Sequence, residues 1–213
     1  MSRILHMSRY VWKMPKLRSL GSIRKDYRRR KIVENYKRIA PALRARGIAV
    51  YHEDEKWMEL LPKLQCVWAK KGSVVTVLTP GYTERWYYFI SMDYARGTIL
   101  WNSYARRMNR EFRIHPSNLV AHMRGEDTMK AILFMDMASY HDTPEVIRFL
   151  ERHPEIVVRQ LPGKDPNANT VELSGDRRMA SAVQCNICYY SREELREAGS
   201  QFLSHFNAQY AVA

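Results

Sequence analysis

"KAILFMDMASYHDTPEVIRFLERHPEIVVRQL", residues 130–161, packs three elements into one short unit. Its opening run, "KAILFMDMAS" (130–139), is continuously apolar up to Asp136, which predicts a strand buried on both faces. In "DTPEVIRFLERHPE" (142–155), Thr143 suits an N-cap and Pro144 the first helical position. Val146, Ile147, Phe149 and Leu150 then make one apolar helix face. "IVVRQL" (156–161) reads as a second strand. Strand, helix and strand within about thirty residues form a βαβ crossover, normally parallel and right-handed.

Upstream of this unit the pattern is a meander. "GIAVYHEDEKW" (47–57) begins apolar and β-branched and ends in three consecutive acids, a strand running out to an acidic tip. "SVVTVLTPGYTERWYYFISMD" (73–93) reads as a hairpin turning at Pro80-Gly81, and "GTILWNSY" (97–104) as a third strand. A polar, helical stretch is expected over 109–124. The predicted class is therefore α/β with a mixed sheet. There is no internal repeat and no low-complexity segment.

The chain has 213 residues, 46% of them hydrophobic, enough for one good core and an extension. Its net charge of +13 is concentrated at one end. Residues 1–47 hold 15 Lys and Arg against 2 acids, whereas 48–213 hold 20 of each. "RKDYRRRK" (24–31) is the densest part, with Tyr10, Trp12, Tyr27 and Tyr36 interleaved. Such a block suits a polyanion, because each neutralised phosphate releases counterions. A solvated, partly helical arm is the plainer reading. No sustained amphipathic face points to a membrane, and no apolar stretch is long enough to span one. Three cysteines (Cys66, Cys185, Cys188) are too few for a disulfide scaffold, so a cytoplasmic protein is expected.

In open α/β sheets, sites form beyond the carboxyl ends of strands. Asp54 is expected at the end of the first strand and Asp136 at the end of the buried one. Glu172 follows the last strand through "LPGKDPNANTVEL" (161–173), a loop rich in proline and asparagine. Three such acids suit a hard divalent cation, Mg²⁺ or Mn²⁺. Two ions about 4 Å apart can activate a water or a 3′ hydroxyl and stabilise the leaving oxygen of a phosphodiester. Each acid also has an ordinary role open to it. Alternation along "HEDE" (52–55) puts His52 and Asp54 on one face and Glu53 and Glu55 on the other, but acids at a strand end are usually just solvated. Asp136 suits a helix-start acceptor, and Glu172 an N-terminal helix acid favoured by the macrodipole.

"YHEDEKW", "PKLQCVWAKKG", "FMDMASYH" and "LPGKDPNANTVE" resemble, in order, the sequence blocks of DDE transposases. They are most similar to the mariner superfamily and its prokaryotic insertion-sequence branch, the insertion-sequence six-thirty group. The matching positions are Asp54-Glu55, Trp68-Ala69 through Gly72, Asp136 with Ala138 and His141, and Leu161-Pro162 through Glu172. The 35 residues between Asp136 and Glu172 also resemble the family's separation. The similarity runs from about residue 47 to 196. Three positions depart from it: Met137 where the family has Asn, Thr170 where it has Pro, and Gly175 where it has Trp. Met137 removes an amide that would orient Asp136, and Gly175 weakens a helix by about 1 kcal/mol relative to Ala, so an impaired copy is expected.

The resemblance implies an RNase H-like mixed β-sheet with flanking helices (48–213), preceded by a basic N-terminal arm or linker (1–47) that contacts DNA. It implies Asp54, Asp136 and Glu172 as catalytic, metal-holding acids with two Mg²⁺ or Mn²⁺ ions. It further implies cleavage at transposon ends, strand transfer into target DNA at a TA dinucleotide, and a homodimer or larger assembly, nucleoid-associated in a prokaryote. The arm is shorter than the family's paired helix-turn-helix modules, which suggests a truncated copy or half of a split gene with an upstream helix-turn-helix product. Arg24, Lys25, Arg28, Arg29, Arg30 and Lys31 are the candidate DNA contacts in the arm. Lys70 and Lys71 in a loop, and Arg177 and Arg178 after Glu172, are further candidates. His141 reads as a helix-approach residue, and Cys185-x-x-Cys188 lacks the second ligand pair of a zinc site. Two alternatives are a metal-dependent nuclease of the same fold and a non-catalytic DNA-binding remnant.

Overall fold

A computed structural model describes residues 7, 27–136, 142–162, 171 and 177–210. Five strands form one mixed sheet in the order β3-β2-β1-β4-β5. They are β1 (Ile48–Glu59), β2 (Arg85–Asp93), β3 (Ile99–Tyr104), β4 (Lys130–Met135) and β5 (Ile156–Gln160). β1 pairs antiparallel with β2 from Tyr51–Asp93 to Glu59–Arg85, and parallel with β4 from Ile48–Lys130 to His52–Phe134. β4 and β5 are parallel, as the βαβ reading predicts. Their connecting helix, α3 (Pro144–Arg152), starts after Thr143 in extended conformation with Pro144 at its first turn.

Helices cover both faces. On one, Ala49, Tyr51, Phe89, Ala131, Leu133 and Met135 pack against Leu119, Val120 and Met123 of α2 (Asn109–Gly125) and Val146 of α3. The opposite face carries two helical layers. Towards its N-terminal side, Val50, Ile132 and Phe134 meet Val33 and Ala40 of α1 (Tyr27–Arg44). Further along β1, Met58, Tyr88, Ile90 and Met92 meet Val171, Met179, Val183, Leu195 and Leu203. Met179 belongs to α4 (Arg177–Met179), which runs into a π-helical turn (Ala180–Gln184), and Leu195 and Leu203 to α5 (Arg192–Tyr210). Gly47 makes the turn between α1 and β1 with φ of 73°, its N–H bonded to the Arg44 carbonyl.

Two expectations are corrected. Residues 73–79 form no strand, so no hairpin turns at Pro80-Gly81. The partner of β2 is β1, which runs on to Glu59 because Met58 and Leu60 are buried in the second cluster. Residues 60–84 become an excursion with Val74, Val75 and Leu78 exposed. Asp54 accordingly lies inside β1, not at its end.

One close contact sets a steric limit on α5. The Tyr88 hydroxyl donates to the Arg196 carbonyl at 2.7 Å, and a Cβ on Gly199 would collide with the Tyr88 ring. Gly199→Ala gains about 1 kcal/mol of helix propensity but overpacks a site that costs up to about 3 kcal/mol. The expected result is a net loss of stability in urea melts. A more stable variant would mean that the contact yields without cost.

Candidate active site

Asp54 and Asp136 approach each other through the β1–β4 pairing. Each lies two residues beyond the last registered pair, His52–Phe134, and so on the same face as that pair. Asp54 is half-buried and accepts the Glu55 amide N–H at 2.9 Å, while Asp136, just past β4, is exposed. The two acids thus occupy the part of that face between α1 on one side and the α4/α5 layer on the other.

Glu172 and His141 lie outside the described residues, as do Arg24 and Lys25. Val171, next in chain to Glu172, is buried in the cluster with Met58 and Ile90, and Ile90 is the registered partner of Asp54. Arg177 opens α4, and Arg178 is exposed beside buried Met179. In α1, Arg28 and Lys31 are exposed, with the Lys31 ammonium 4.7 Å from the Tyr27 ring centroid, while Arg29 and Arg30 are half-buried. Lys70 and Lys71 are exposed at a turn in the 60–84 excursion, closed by the Ser73 hydroxyl donating to the Lys70 carbonyl. Cys66, Cys185 and Cys188 carry free thiols.

Two charged groups that the sequence does not single out belong to this region. Lys37 on α1 is half-buried, with its ammonium 5.4 Å from the Tyr94 ring centroid. Glu53 is buried on the other face of the sheet and, among the described residues, has no hydrogen-bond partner on either carboxylate oxygen. Burial foremost, then the nearby charges of Glu55, Asp54 and Asp136, hold its carboxyl well above the ordinary value. Strand alternation correctly places Glu53 opposite Asp54, but its burial follows from α2 covering that face.

Beside Glu53 in register is Ser91, whose hydroxyl lies 2.8 Å from His115 Nε2. His115 Nδ1 lies 2.7 Å from Asn102 Oδ1. Because that oxygen only accepts, Nδ1–H donates to it and Nε2 accepts from Ser91. Burial pushes the imidazole down to about 3. The unfolded chain gains a proton at His115 below about pH 6.5 that the fold refuses, so this contribution is complete above that pH and is lost towards pH 3. Between pH 6.5 and 5 it amounts to about 2 kcal/mol. Glu53 acts with the opposite sign in both chains, so wild type and His115→Gln are to be compared. The wild type should lose about one proton's worth more stability than the variant over that interval in urea melts, and equal slopes would refute a neutral His115.

A family profile described as "DDE superfamily endonuclease" matches residues 49–179, a span that holds both acids and most of the sheet. The chain belongs to the DDE superfamily endonuclease family. Solved structures agree on the fold. The "Mos1 transposase paired-end complex with left transposon end" superposes with a TM-score of 0.68 at 14% identity, covering 99% of this chain and 65% of that one. The "Crystal structure of the Mos1 Strand Transfer Complex" gives 0.67 at 16%, covering 95% and 61%. The "Crystal structure of the catalytic domain of Mos1 mariner transposase" gives 0.58 at 14%, covering 91% and 85%. The chain thus spans less than two thirds of the length of the first two transposase chains. No curated protein matches it by sequence. The mixed five-stranded sheet with flanking helices is the RNase H-like fold, and this DDE domain is of the endonuclease type.

The acids of this DDE domain fit a hard divalent cation by chemistry: oxygen donors on adjacent strands, one of them exposed. Transposases of this fold have been solved with Mn and with Mg. Among the described residues, no three His, Cys, Asp or Glu converge as a metal site, and no helix is long and apolar enough to cross a membrane.

Proposed function

We propose that this chain is the catalytic domain of a transposase, cleaving DNA at transposon ends and transferring the freed strand into target DNA. The observation that carries this is the pair Asp54 and Asp136, set on one face by adjacent parallel strands within a DDE domain. Glu172 is the third acid in this reading, supported by the burial of Val171 on the same face. These three carboxylates would hold two Mg²⁺ or Mn²⁺ ions, which when bound supply charge neutralisation and an activated water or 3′ hydroxyl. The protein's own part is to hold the carboxylates on a rigid sheet and to position the DNA backbone.

DNA is the partner, gripped by the basic arm (1–47), by Lys70 and Lys71, and by Arg177 and Arg178 beside the site. The catalytic domain is 48–213, and α1, the last part of the arm, packs on its sheet. The blocks around Asp54, Asp136 and Glu172 favour the prokaryotic insertion-sequence branch of the mariner superfamily, acting in the cytoplasm at the nucleoid. Work on two DNA ends calls for a dimer or larger assembly, which an upstream helix-turn-helix product would direct to the terminal repeats.

A plasmid and an end-labelled duplex with a free 3′ hydroxyl test this without knowledge of the terminal repeats. Metal-dependent nicking together with labelled strand joined to plasmid is the expected result. Nicking with no joined product would assign a nuclease. DNA binding without cleavage in either metal would assign a non-catalytic remnant.

A further inference from the structure

Residues 48–213 carry equal numbers of basic and acidic side chains, yet "ARRMNREFR" (105–113), where β3 passes into α2, holds four arginines and one acid. Arg106, Arg107 and Arg110 are exposed, and Arg113 is half-buried. Folding gives no reason for this cluster, because cations at the start of a helix oppose its macrodipole. Strand register fixes its place. Asp54 is level with Ile90 of β2 and Trp101 of β3, while Trp57 is level with Tyr87 and Tyr104. β3 therefore leaves the sheet three residues, about 10 Å, beyond the level of Asp54 and at the end where Asp54 and Asp136 lie. Arg106 follows two residues later.

The basic first turn of α1 extends towards the same end. α1 finishes at the Gly47 turn that opens β1, and Tyr36 packs edge-on against Phe134, with ring centroids 5.5 Å apart. Exposed Arg28 lies about 12 Å further along the helix, away from that turn. One basic block thus stands on the β4 side, where α1 packs on Ile132 and Phe134, and the other at the β3 edge. The acids lie between them. From β3 to β4 is three strand spacings, about 14 Å, or about four steps of a DNA strand. We propose that residues 105–110 form a second DNA-backbone surface of this domain, with the Arg106 and Arg110 guanidiniums on phosphates of the strand that crosses the two acids. Arginine suits that task, since its planar fork takes two phosphate oxygens at once. This rests on the reading of those acids as a DNA-processing centre.

The test is duplex DNA binding by the full chain and three double variants across a salt series, with metal-dependent nicking and thermal melts in parallel. Arg106→Gln with Arg110→Gln should bind about tenfold more weakly than wild type, with a salt slope smaller by about 1.8, or about 0.9 for each lost contact. It should melt no lower than wild type, and its KM for DNA should rise more than kcat falls. Arg106→Lys with Arg110→Lys should keep the slope, because the number of charges sets it. Lys130→Gln with Arg152→Gln removes two exposed charges at the opposite end of the sheet, where β4 begins and α3 ends, and should keep it too. A slope in the Arg106/Arg110 glutamine variant equal to that of wild type or of the Lys130/Arg152 pair overturns the proposal and leaves the function of the acids intact. Weaker binding that comes with a lower melting temperature also overturns it, in favour of a structural role. Wild type that binds DNA but never nicks it, with the slope change still present, would remove the catalytic reading and keep the surface. No salt-dependent binding by wild type would overturn both.

Discussion

Asp136→Ala should lower metal-dependent DNA cleavage by about 10³-fold, the scale on which active sites lose a principal electrostatic group. Asp54→Ala should do the same, because the two carboxylates act as one donor set and neither replaces the other. The corresponding binding measurement is a calorimetric Mn²⁺ titration with a short duplex present. Wild type should show saturable binding that each variant loses, with thermal melts alongside to confirm a folded chain. The prediction rests on placement: Asp54 is held inside a central strand, and Asp136 sits just past the end of its parallel neighbour. Mn²⁺ traces identical in wild type and both variants would show that these carboxylates do not share an ion. The basic arm would then remain as the functional part.

A second large effect is expected in stability, at Arg44. Its guanidinium ends α1 and reaches the buried Asp93 carboxylate at 3.7 Å, the Thr128 hydroxyl at 2.8 Å, and Glu126. Glu126 is held in turn by Arg96 at 2.7 Å and lies 3.5 Å from His122. Asp93 Oδ1 accepts the N–H groups of Ala95 and Arg96, but among the described residues Asp93 Oδ2 has no hydrogen-bond donor, so Arg44 supplies its counter-charge. Arg44→Met would strand that carboxylate in the interior. Breaking one partner of a buried pair costs about 3–5 kcal/mol, far more than the pair's net worth, because the remaining charge stays desolvated. For a chain of this length, a Tm lower by about 10 °C follows. Arg44→Met with Asp93→Asn should recover part of the loss, since the uncompensated charge is gone. A single variant that melts within 2 °C or so of wild type would show that Asp93 finds another counter-charge or water.

What was legible in the sequence was local. The unit of β4, α3 and β5 reads directly, because a continuous apolar run, a Thr-Pro helix start and a 3.6-residue stripe each reflect forces within a few residues of chain. The same periodicity along β1 separates Asp54 from Glu53. The turn signal at Pro80-Gly81 is equally local, and there it misleads. β1 offers β2 nine backbone pairings and burial for Met58 and Leu60, a gain beyond what residues 73–79 could provide.

The acid pair belongs to the other category. Asp54 and Asp136 are far apart in the chain and meet only because β4 docks parallel beside β1, an arrangement that the order of blocks suggests by family likeness but that no local pattern contains. The burial of Glu53 depends on α2 closing the opposite face. The placement of Lys37 depends on α1 lying across the strands beside Tyr94 and His52. By itself, then, the sequence determined most of the segments that form strands and helices, the 73–79 run excepted, together with the alternation of faces along each and where positive charge accumulates, since these follow from backbone period and composition. Only the tertiary structure decided which charges meet. Contact between segments far apart in the chain arises from packing whole elements together, and the desolvation that gives Glu53, His115 and Arg44 their character exists only once that packing is complete.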